Sequence, residues 1–497
     1  MNSCDVSFLL SKAGSANFQA LLAKCGQNYS TIPFLDLYFG YMHRSVVIGI
    51  FAILLIIPLC FLLIKFNADK FLSTAITRVK DHFNISPLVA SCTLIPLVNG
   101  APDIICSISS GEQSEGIQIS IGCLVGSFVF SVAVIVSVII RKSQKQIIDV
   151  PEKTLAKEFV FYFAALVLIL IYGLMEKINY ILACGFILLY IIYLVVTLKF
   201  NFASDMINEE QVLSEVESSE LESQLSNVGR SMEQQIRKKT SFRKIYRMSK
   251  RVLLFPLKAA CYLTIPGHSN PLMRSKLKYI VVLGSILFSI TSYHFLNNWM
   301  MVAFASYSAF MVIAVLTQSK QTQNEQNLAF VFLTLCSSLA WVKLYCAVLL
   351  DSIVFLSHLV RIDETFLSMV IVSVGNSLQD LFFNAALAQM GYEQMAIVAT
   401  ISSQILNLMV GLWLNFTISR KYDFNIFEFN EYGREKTSGY LVSILLVFAA
   451  LIILINSTYL LVNNGKYKKN YSMIGLGTYA LFFTSSFAYV LYATINN

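Results

Sequence analysis

The sequence has little charge for its length. Only 13% of its 497 residues are Asp, Glu, Lys or Arg, whereas a soluble domain carries about 25%. Five histidines are scattered along the chain and the ten cysteines form no CxxC pair, so the common sequence signatures of zinc and redox sites are missing. Without a nucleophile–base set or a cofactor-binding loop, the sequence predicts neither an enzyme nor a resident cofactor.

The sequence is rich in long apolar runs. Apolar residues make up 56% of the chain, and the mean hydropathy is +0.65. Runs of about 18 to 25 apolar residues are long enough to cross a bilayer as helices. The sequence therefore predicts an all-α polytopic membrane protein with about 12 transmembrane helices. These spans are expected at residues 45–64, 86–109, 117–140, 157–174, 178–198, 278–294, 299–317, 327–358, 366–390, 394–418, 438–460 and 472–493.

The order of spans and polar segments predicts five regions. They are a lumenal or external tail (1–42), a first transmembrane repeat (43–199), a cytosolic or matrix linker loop (200–277), an extra transmembrane hairpin (278–317) and a second transmembrane repeat (318–497). The N-terminus lacks a basic segment followed by an apolar one, so no cleaved signal peptide is predicted.

The sequence leaves three features of the polar segments open. Cys4 and Cys25 could pair if the tail is lumenal. Asn28 begins a sequon that is either glycosylated or unused. The linker turns from acidic to basic, and it is either a disordered tether or a membrane-facing segment that a kinase regulates at Ser241 or Ser249.

The distribution of basic residues predicts the orientation of the chain. The loops after the odd-numbered spans hold 27 of the 37 Lys and Arg residues, so the positive-inside rule places them on the cytosolic or matrix side. Because the positive charge marks topology, it argues against nucleic-acid binding. Lys343 lies inside a span, where it either snorkels to the interface or pairs with an acid such as Asp351.

Two short polar motifs interrupt the apolar spans. The first, NGAPD at residues 99–103, lies in the second span, and the other, GNSLQD at residues 375–380, lies in the ninth. A charged side chain inside a span costs about 2.5–3.5 kcal/mol on insertion scales and indicates a functional site. Because an odd number of crossings separates the two spans, the motifs are predicted to lie in repeats of inverted topology.

Both motif helices also contain residues that weaken helical hydrogen bonding. Pro102 has no amide hydrogen and is expected to free the carbonyl group of Val98. Gly375, at the position matching Val98, tolerates a broken helix. An interrupted helix is allowed within a membrane where the freed groups line a cavity or bind an ion.

Each motif precedes a helix that carries a second polar pair four residues apart. Side chains at that spacing share a helix face, and their carboxylate, amide and hydroxyl oxygens suit Ca2+ and Na+ rather than thiophilic metals. For the three serines taken alone, hydrogen bonding between helices is the alternative. The predicted cation ligands are Asn99, Asp103, Ser127, Ser131, Asn376, Asp380, Ser403 and Asn407.

The paired motifs resemble those of the cation/Ca2+ exchanger superfamily. NGAPD and the longer stretch GNSLQDLFFNAALAQMGY at residues 375–392 look like the mitochondrial-type Na+/Ca2+ exchanger and plant cation/calcium exchanger branch. The resemblance implies two inverted-topology repeats of five helices plus the extra hairpin, and exchange of Ca2+ for Na+ or Li+ by alternating access. It adds Ser377 to the expected ligands, and Asn384 also matches the family pattern.

The sequence departs from the family pattern at three positions. Val98 and Gln379 stand where Gly is common, and Val370 stands where Thr is common. Because both acids are retained, these changes bear on the coupling ion and the number of ions. An H+-coupled antiporter, a cation channel and a cation-binding receptor or scaffold are the alternatives, and the mitochondrial inner membrane, an endomembrane and the plasma membrane are all open as locations.

Overall fold

The computed structural model describes residues 34–40, 45–83, 87–111, 116–175, 180–208, 258–265, 328–389, 391–419 and 437–496. Almost all of these residues are helical. The predicted hairpin at residues 278–317, most of the linker, and the tail as far as residue 33 lie outside the described residues. The expectations for Cys4, Cys25, Asn28 and the kinase sites lie there too.

The helices of the N-terminal part follow the predicted spans closely. They are α1 (Phe34–Gly40), α2 (Val46–Asn67), α3 (Ser73–His82), α4 (Pro87–Ser110), α5 (Gly116–Phe130), α6 (Val136–Lys142), α7 (Glu152–Leu174) and α8 (Tyr180–Asn208). One π-helical turn, Ala68–Leu72, joins α2 to α3, and another, Ser131–Ile135, joins α5 to α6. The last helix extends about ten residues beyond the expected end of the fifth span.

The helices of the C-terminal part also match the expected spans. They are α9 (Leu328–Val360), α10 (Glu364–Leu367), α11 (Ser373–Gln389), α12 (Glu393–Ser419), α13 (Thr437–Val462) and α14 (Tyr471–Asn496). A third π-helical turn, Ser368–Val372, joins α10 to α11. A short helical segment at residues 258–264 precedes this part.

Seven described helices are long and apolar enough to cross a membrane. The number rises to eight if the bent pair Glu364–Leu378 and Asp380–Gln389 counts as one span. The helix axis bends by 44° between the two parts of this pair. The bend lies at Gln379 and not at Gly375. Gly375 is helical, and the ring of Phe61 packs directly against its backbone.

The chain forms two compact units. The first comprises Met1–Ala68, Pro96–Ile191 and Val342–Asn497, and the second comprises Asp69–Ile95 and Ile192–Trp341. In the second unit, the indole of Trp341 donates to Thr264 Oγ1 at 2.7 Å, and Lys70 Nζ lies 5.0 Å from the ring centroid of Tyr262. All of the predicted site residues lie in the first unit.

Helix α5 lies at the centre of the first unit, and all of its residues are buried. Small residues allow this close packing. A Cβ atom added to Gly126 would lie 2.8 Å from the carbonyl oxygen of Met369, and one added to Gly122 would lie 3.3 Å from that of Thr365. As in other membrane proteins, glycines at this spacing let helix backbones approach one another closely.

Contacts within the first unit fix the directions of the motif helices. Asp103 contacts Asn407 and Ser107 contacts Gly411, so α4 and α12 run parallel. The order of the Gly122 and Gly126 contacts shows that α5 runs parallel to the chain from α10 to α11. Helices α4 and α5 form a hairpin, so α4 and α11 run in opposite directions.

A short β-ribbon, which the sequence does not predict, joins two loops of the first unit. Strands β1 (Ile147–Asp149) and β2 (Lys466–Lys468) pair antiparallel, with Ile148 opposite Tyr467. The loop before β1 also contacts the start of α12, where Lys145 Nζ lies 2.7 Å from Glu393 Oε1. These contacts place the loops that follow α6, α11 and α13 at one end of the unit.

Candidate cation site

Asp103 is the central buried acid of the predicted site. Only 5% of the residue is exposed, and its Oδ2 atom accepts a hydrogen bond of 2.7 Å from Asn407 Nδ2. The Asp380 carboxylate is near enough for its charge to act on Asp103, and the Asn376 side chain also interacts with it. Asp103 of the first motif therefore lies within electrostatic range of Asp380 of the second.

Several oxygens of this site have no hydrogen-bond partner in the part of the chain that the structure describes. Five buried ones have no hydrogen-bond partner among the described residues: Asp103 Oδ1, Ser131 Oγ, Asn376 Oδ1, Ser377 Oγ and Asn407 Oδ1. Buried polar atoms are usually paired, and an unpaired one costs about 1–3 kcal/mol. Five in one predicted site are therefore acceptor oxygens that a cation bound there would satisfy.

The side-chain amides of the site are oriented with their donors directed at protein atoms. Asn407 donates to Asp103, and Asn376 Nδ2 lies 3.8 Å from Cys123 Sγ. Their carbonyl oxygens have no hydrogen-bond partner among the residues that the structure describes. The site therefore combines two negative charges with surplus acceptor oxygens, which is the chemistry that binds a hard cation.

Two predicted serine ligands make ordinary helix contacts. Ser127 Oγ donates to the carbonyl oxygen of Ser373 at 3.3 Å, and Ser403 Oγ donates to that of Thr400 at 3.2 Å. Both hydroxyl oxygens keep lone pairs that could still coordinate a cation. Asn99 lies in α4, but its side chain lies outside the described residues.

Ser131 differs from these serines because it opens a π-helical turn. Its hydroxyl is fully buried and unpartnered among the described residues. Such turns occur often at functional sites because they shift the face that a helix presents. The turn begins at the predicted ligand itself.

Glycine at position 100 is required by the packing of the site. A Cβ atom there would lie 1.8 Å from Asn407 Oδ1 and 2.9 Å from its Cγ. The missing side chain lets Asn407 lie against α4 while it holds Asp103. This glycine belongs to the first motif, but its role depends on a partner 307 residues later in the sequence.

Sequence reasoning missed one buried polar side chain of α12 and left another, on α11, outside the predicted ligand set. Both amide atoms of Gln404 and the Oδ1 atom of Asn384 are buried and unpartnered among the described residues. Asn384, which matches the family pattern, lies four residues after Asp380 and so shares its helix face. Ser107 occupies the matching position after Asp103 and accepts a short hydrogen bond from Asn415.

Among the described residues, no group of three or more His, Cys, Asp or Glu side chains could hold a metal ion. A cation at this site would therefore depend on two carboxylates and on neutral oxygens. Such a ligand set disfavours Zn2+ and Cu+, which prefer sulfur and imidazole.

A family model for "Sodium/calcium exchanger protein" matches residues 45–199 and 330–488. The matched ranges contain both motifs and cover more than half of the chain. The chain belongs to the sodium/calcium exchanger protein family. This membership confirms the resemblance seen in the two motifs, and with the seven candidate spans it identifies this exchanger-family protein as a polytopic membrane protein.

Curated relatives of this exchanger-family protein share less than a third of its residues. Cation/calcium exchanger 5 of Arabidopsis thaliana is 23% identical over 468 residues, covering 89% of this chain and 82% of the relative. The mitochondrial sodium/calcium exchanger protein of Homo sapiens is 22% identical over 409 residues, covering 73% of this chain and 69% of the relative.

Two solved structures also align with this exchanger-family protein. The sodium-calcium exchanger NCX_Mj aligns with a TM-score of 0.40 and 15% identity, over 89% of this chain and 99% of that one. The H+/Ca2+ exchanger CAX aligns with a TM-score of 0.44 and 13% identity, over 97% and 93%.

Proposed function

We propose that the protein is a secondary active antiporter that exchanges Ca2+ for Na+, or for Li+, by alternating access. The observation that carries this proposal is the set of unpartnered buried oxygens around Asp103, together with the nearby charge of Asp380. Membership of the sodium/calcium exchanger family supports the same conclusion.

The transported Ca2+ would lie between the two acids. Two carboxylates neutralise one divalent ion, and Ca2+ takes about 6–8 oxygen ligands. The free oxygens of Asn376, Ser377 and Asn407 are the first additional ligands, and Ser131 supplies another. Asn99, Ser127 and Ser403 complete the proposed set.

Shared ligands would couple the two fluxes. Na+ also binds hard oxygen ligands, so it would occupy the same oxygens when Ca2+ is absent. Because the ions compete, each can cross only when the other has left. The Na+ gradient then drives Ca2+ transport, and the membrane potential adds about 2.3 kcal/mol per 100 mV for each net charge moved.

Helix directions support an arrangement of two inverted halves. Motif helices α4 and α11 run in opposite directions, and each packs parallel to the second helix of the other half. Inverted repeats of this kind place substrate sites near the membrane midplane. The shared end of the loops after α6, α11 and α13 supports their common placement on the cytosolic or matrix side.

Proton-coupled exchange is the second candidate function. A buried carboxylate with a free oxygen can carry a proton in place of a cation, and Asp103 meets that description. The two candidates use the same acids and differ only in the ion that returns.

Transport into proteoliposomes tests both candidates. Vesicles loaded with Na+, Li+ or K+ are diluted into medium containing 45Ca2+, and a second series carries only a pH gradient. We expect uptake from Na+-loaded vesicles and none from K+-loaded ones. Uptake driven by the pH gradient alone would favour H+ coupling, and flux that needs no counter-ion would indicate a channel.

Isosteric variants test the assignment of the site. Asp103→Asn and Asp380→Asn keep the size of each side chain and remove its charge, so each is expected to abolish uptake. Lys466→Gln, at the exposed β-ribbon, is the matched control for removal of a charge. Normal transport by both acid variants would refute the assignment.

A further inference from the structure

Two buried thiols lie in contact beside the cation site. Cys106 of α4 and Cys346 of α9 are 1% and 0% exposed, and their sulfur atoms are 2.7 Å apart. Both are free thiols in this structure. A disulfide bond is about 2.05 Å long, so bond formation needs the sulfur atoms to approach by less than about 1 Å.

The thiol pair borders the acid that carries the site. Cys106 follows Asp103 by three residues, and Cys346 Sγ lies 3.8 Å from the carbonyl oxygen of Pro102. The charge of Asp103 acts on both thiols. The pair is therefore adjacent to the proposed ligands of the cation site.

Burial sets the conditions under which this chemistry occurs. A thiol reacts as its thiolate, and thiols in apolar surroundings are slow to react. Exclusion from water also protects the pair while the site is closed. Oxidation is therefore expected to be slow, and to become faster whenever water enters the site.

We propose that a peroxide oxidises Cys106 and Cys346 to a disulfide, and that this bond reversibly stops transport. The two thiols lose two protons and two electrons as the S–S bond forms. The O–O bond of hydrogen peroxide breaks, and the peroxide takes up both protons and both electrons to give two water molecules. A dithiol reverses the modification by thiol–disulfide exchange.

The position of the bond explains why it would stop transport. Helix α4 belongs to the first predicted repeat and α9 to the second, so the disulfide would tie the two halves together next to the ligands. Alternating access needs one half to move against the other. This consequence rests on the proposed function, whereas formation of the bond does not.

The test uses the full-length protein in proteoliposomes treated with hydrogen peroxide. Peptide mass spectrometry under non-reducing conditions measures the Cys106–Cys346 link, and 45Ca2+ uptake by Na+-loaded vesicles measures transport. We expect uptake to fall in proportion to the linked fraction and to return with dithiothreitol. Cys106→Ser and Cys346→Ser should keep their uptake in peroxide, whereas Cys336→Ser, on the same helix as Cys346, should respond like the natural sequence.

Three results would overturn the inference. They are inactivation without the linked peptide, formation of the link with undiminished uptake, and inactivation that persists in both serine variants. Alanine at either position replaces serine if a serine variant fails to elute as a monodisperse peak. If the untreated protein shows no uptake, the proposed function fails, and the linked peptide still tests the bond by itself.

Discussion

Substitution of Gly100 by Ala should weaken Ca2+ binding, although Gly100 has no side chain that could bind the ion. The new Cβ atom would lie 1.8 Å from Asn407 Oδ1. An ordinary contact needs more than about 3 Å, so the Asn407 amide must retreat by roughly 1.5 Å. Its hydrogen bond of 2.7 Å to Asp103 Oδ2 would then break.

The size of the effect follows from the bond that is lost. Hydrogen bonds to charged groups contribute about 1.5–3 kcal/mol, and each 1.4 kcal/mol is about tenfold in affinity. We therefore expect Gly100→Ala to raise the Ca2+ concentration for half-maximal uptake by about 10- to 100-fold. The assay is 45Ca2+ uptake by Na+-loaded proteoliposomes over a range of Ca2+ concentrations.

Two further variants show whether the effect passes through Asn407. Gly477→Ala is the matched control, because a Cβ atom there meets no atom within 4 Å. In a background that carries Asn407→Ala the clash is gone, so Gly100→Ala should add little further loss. Unchanged affinity in the Gly100→Ala protein, or full additivity in the double variant, would refute the reasoning.

Two other predictions concern stability, measured as the thermal unfolding midpoint in detergent. Gly375→Ala should lower the midpoint, because its Cβ atom would lie 1.9 Å from Phe61 Cζ, and Phe61→Ala should restore part of the loss. If Phe61→Ala did not raise the midpoint of the Gly375→Ala protein, a clash with Phe61 would not be the cause of the loss. Lys145→Met should lower the free energy of unfolding by about 1–3 kcal/mol, because it leaves the buried carboxylate of Glu393 unpaired. Lys466→Met removes an exposed ion pair and should lower the free energy of unfolding by less than about 1 kcal/mol. Equal losses in the two variants would show that burial of Glu393 does not matter.

Much of the helical architecture could be predicted from the sequence because its signals are local. Apolar runs of bilayer length locate the spans, and the helices α4 and α12 begin and end within a residue or two of the expected positions. The acids Asp103 and Asp380 were identifiable for the same reason, since a carboxylate inside an apolar run is unusual at any single position.

Features that depend on distant contacts could not be predicted in this way. The partner of Asp103 is Asn407, and nothing in either motif shows that the two side chains meet. The β-ribbon pairs Ile148 with Tyr467, and its two strands are too short to be recognised as strands from the sequence. Helical spacing predicts that Ser127 and Ser131 share a face, but the direction of the Ser127 hydroxyl depends on the Ser373 backbone.

Equilibrium binding of 45Ca2+ to the purified protein tests the central claim most directly, because it does not depend on the coupling ion. The claim is that Asp103 and Asp380 together hold one Ca2+. We predict one Na+-displaceable Ca2+ per chain in the natural sequence and none in either Asp103→Asn or Asp380→Asn. Undiminished binding by both variants, each still monodisperse, would contradict the account.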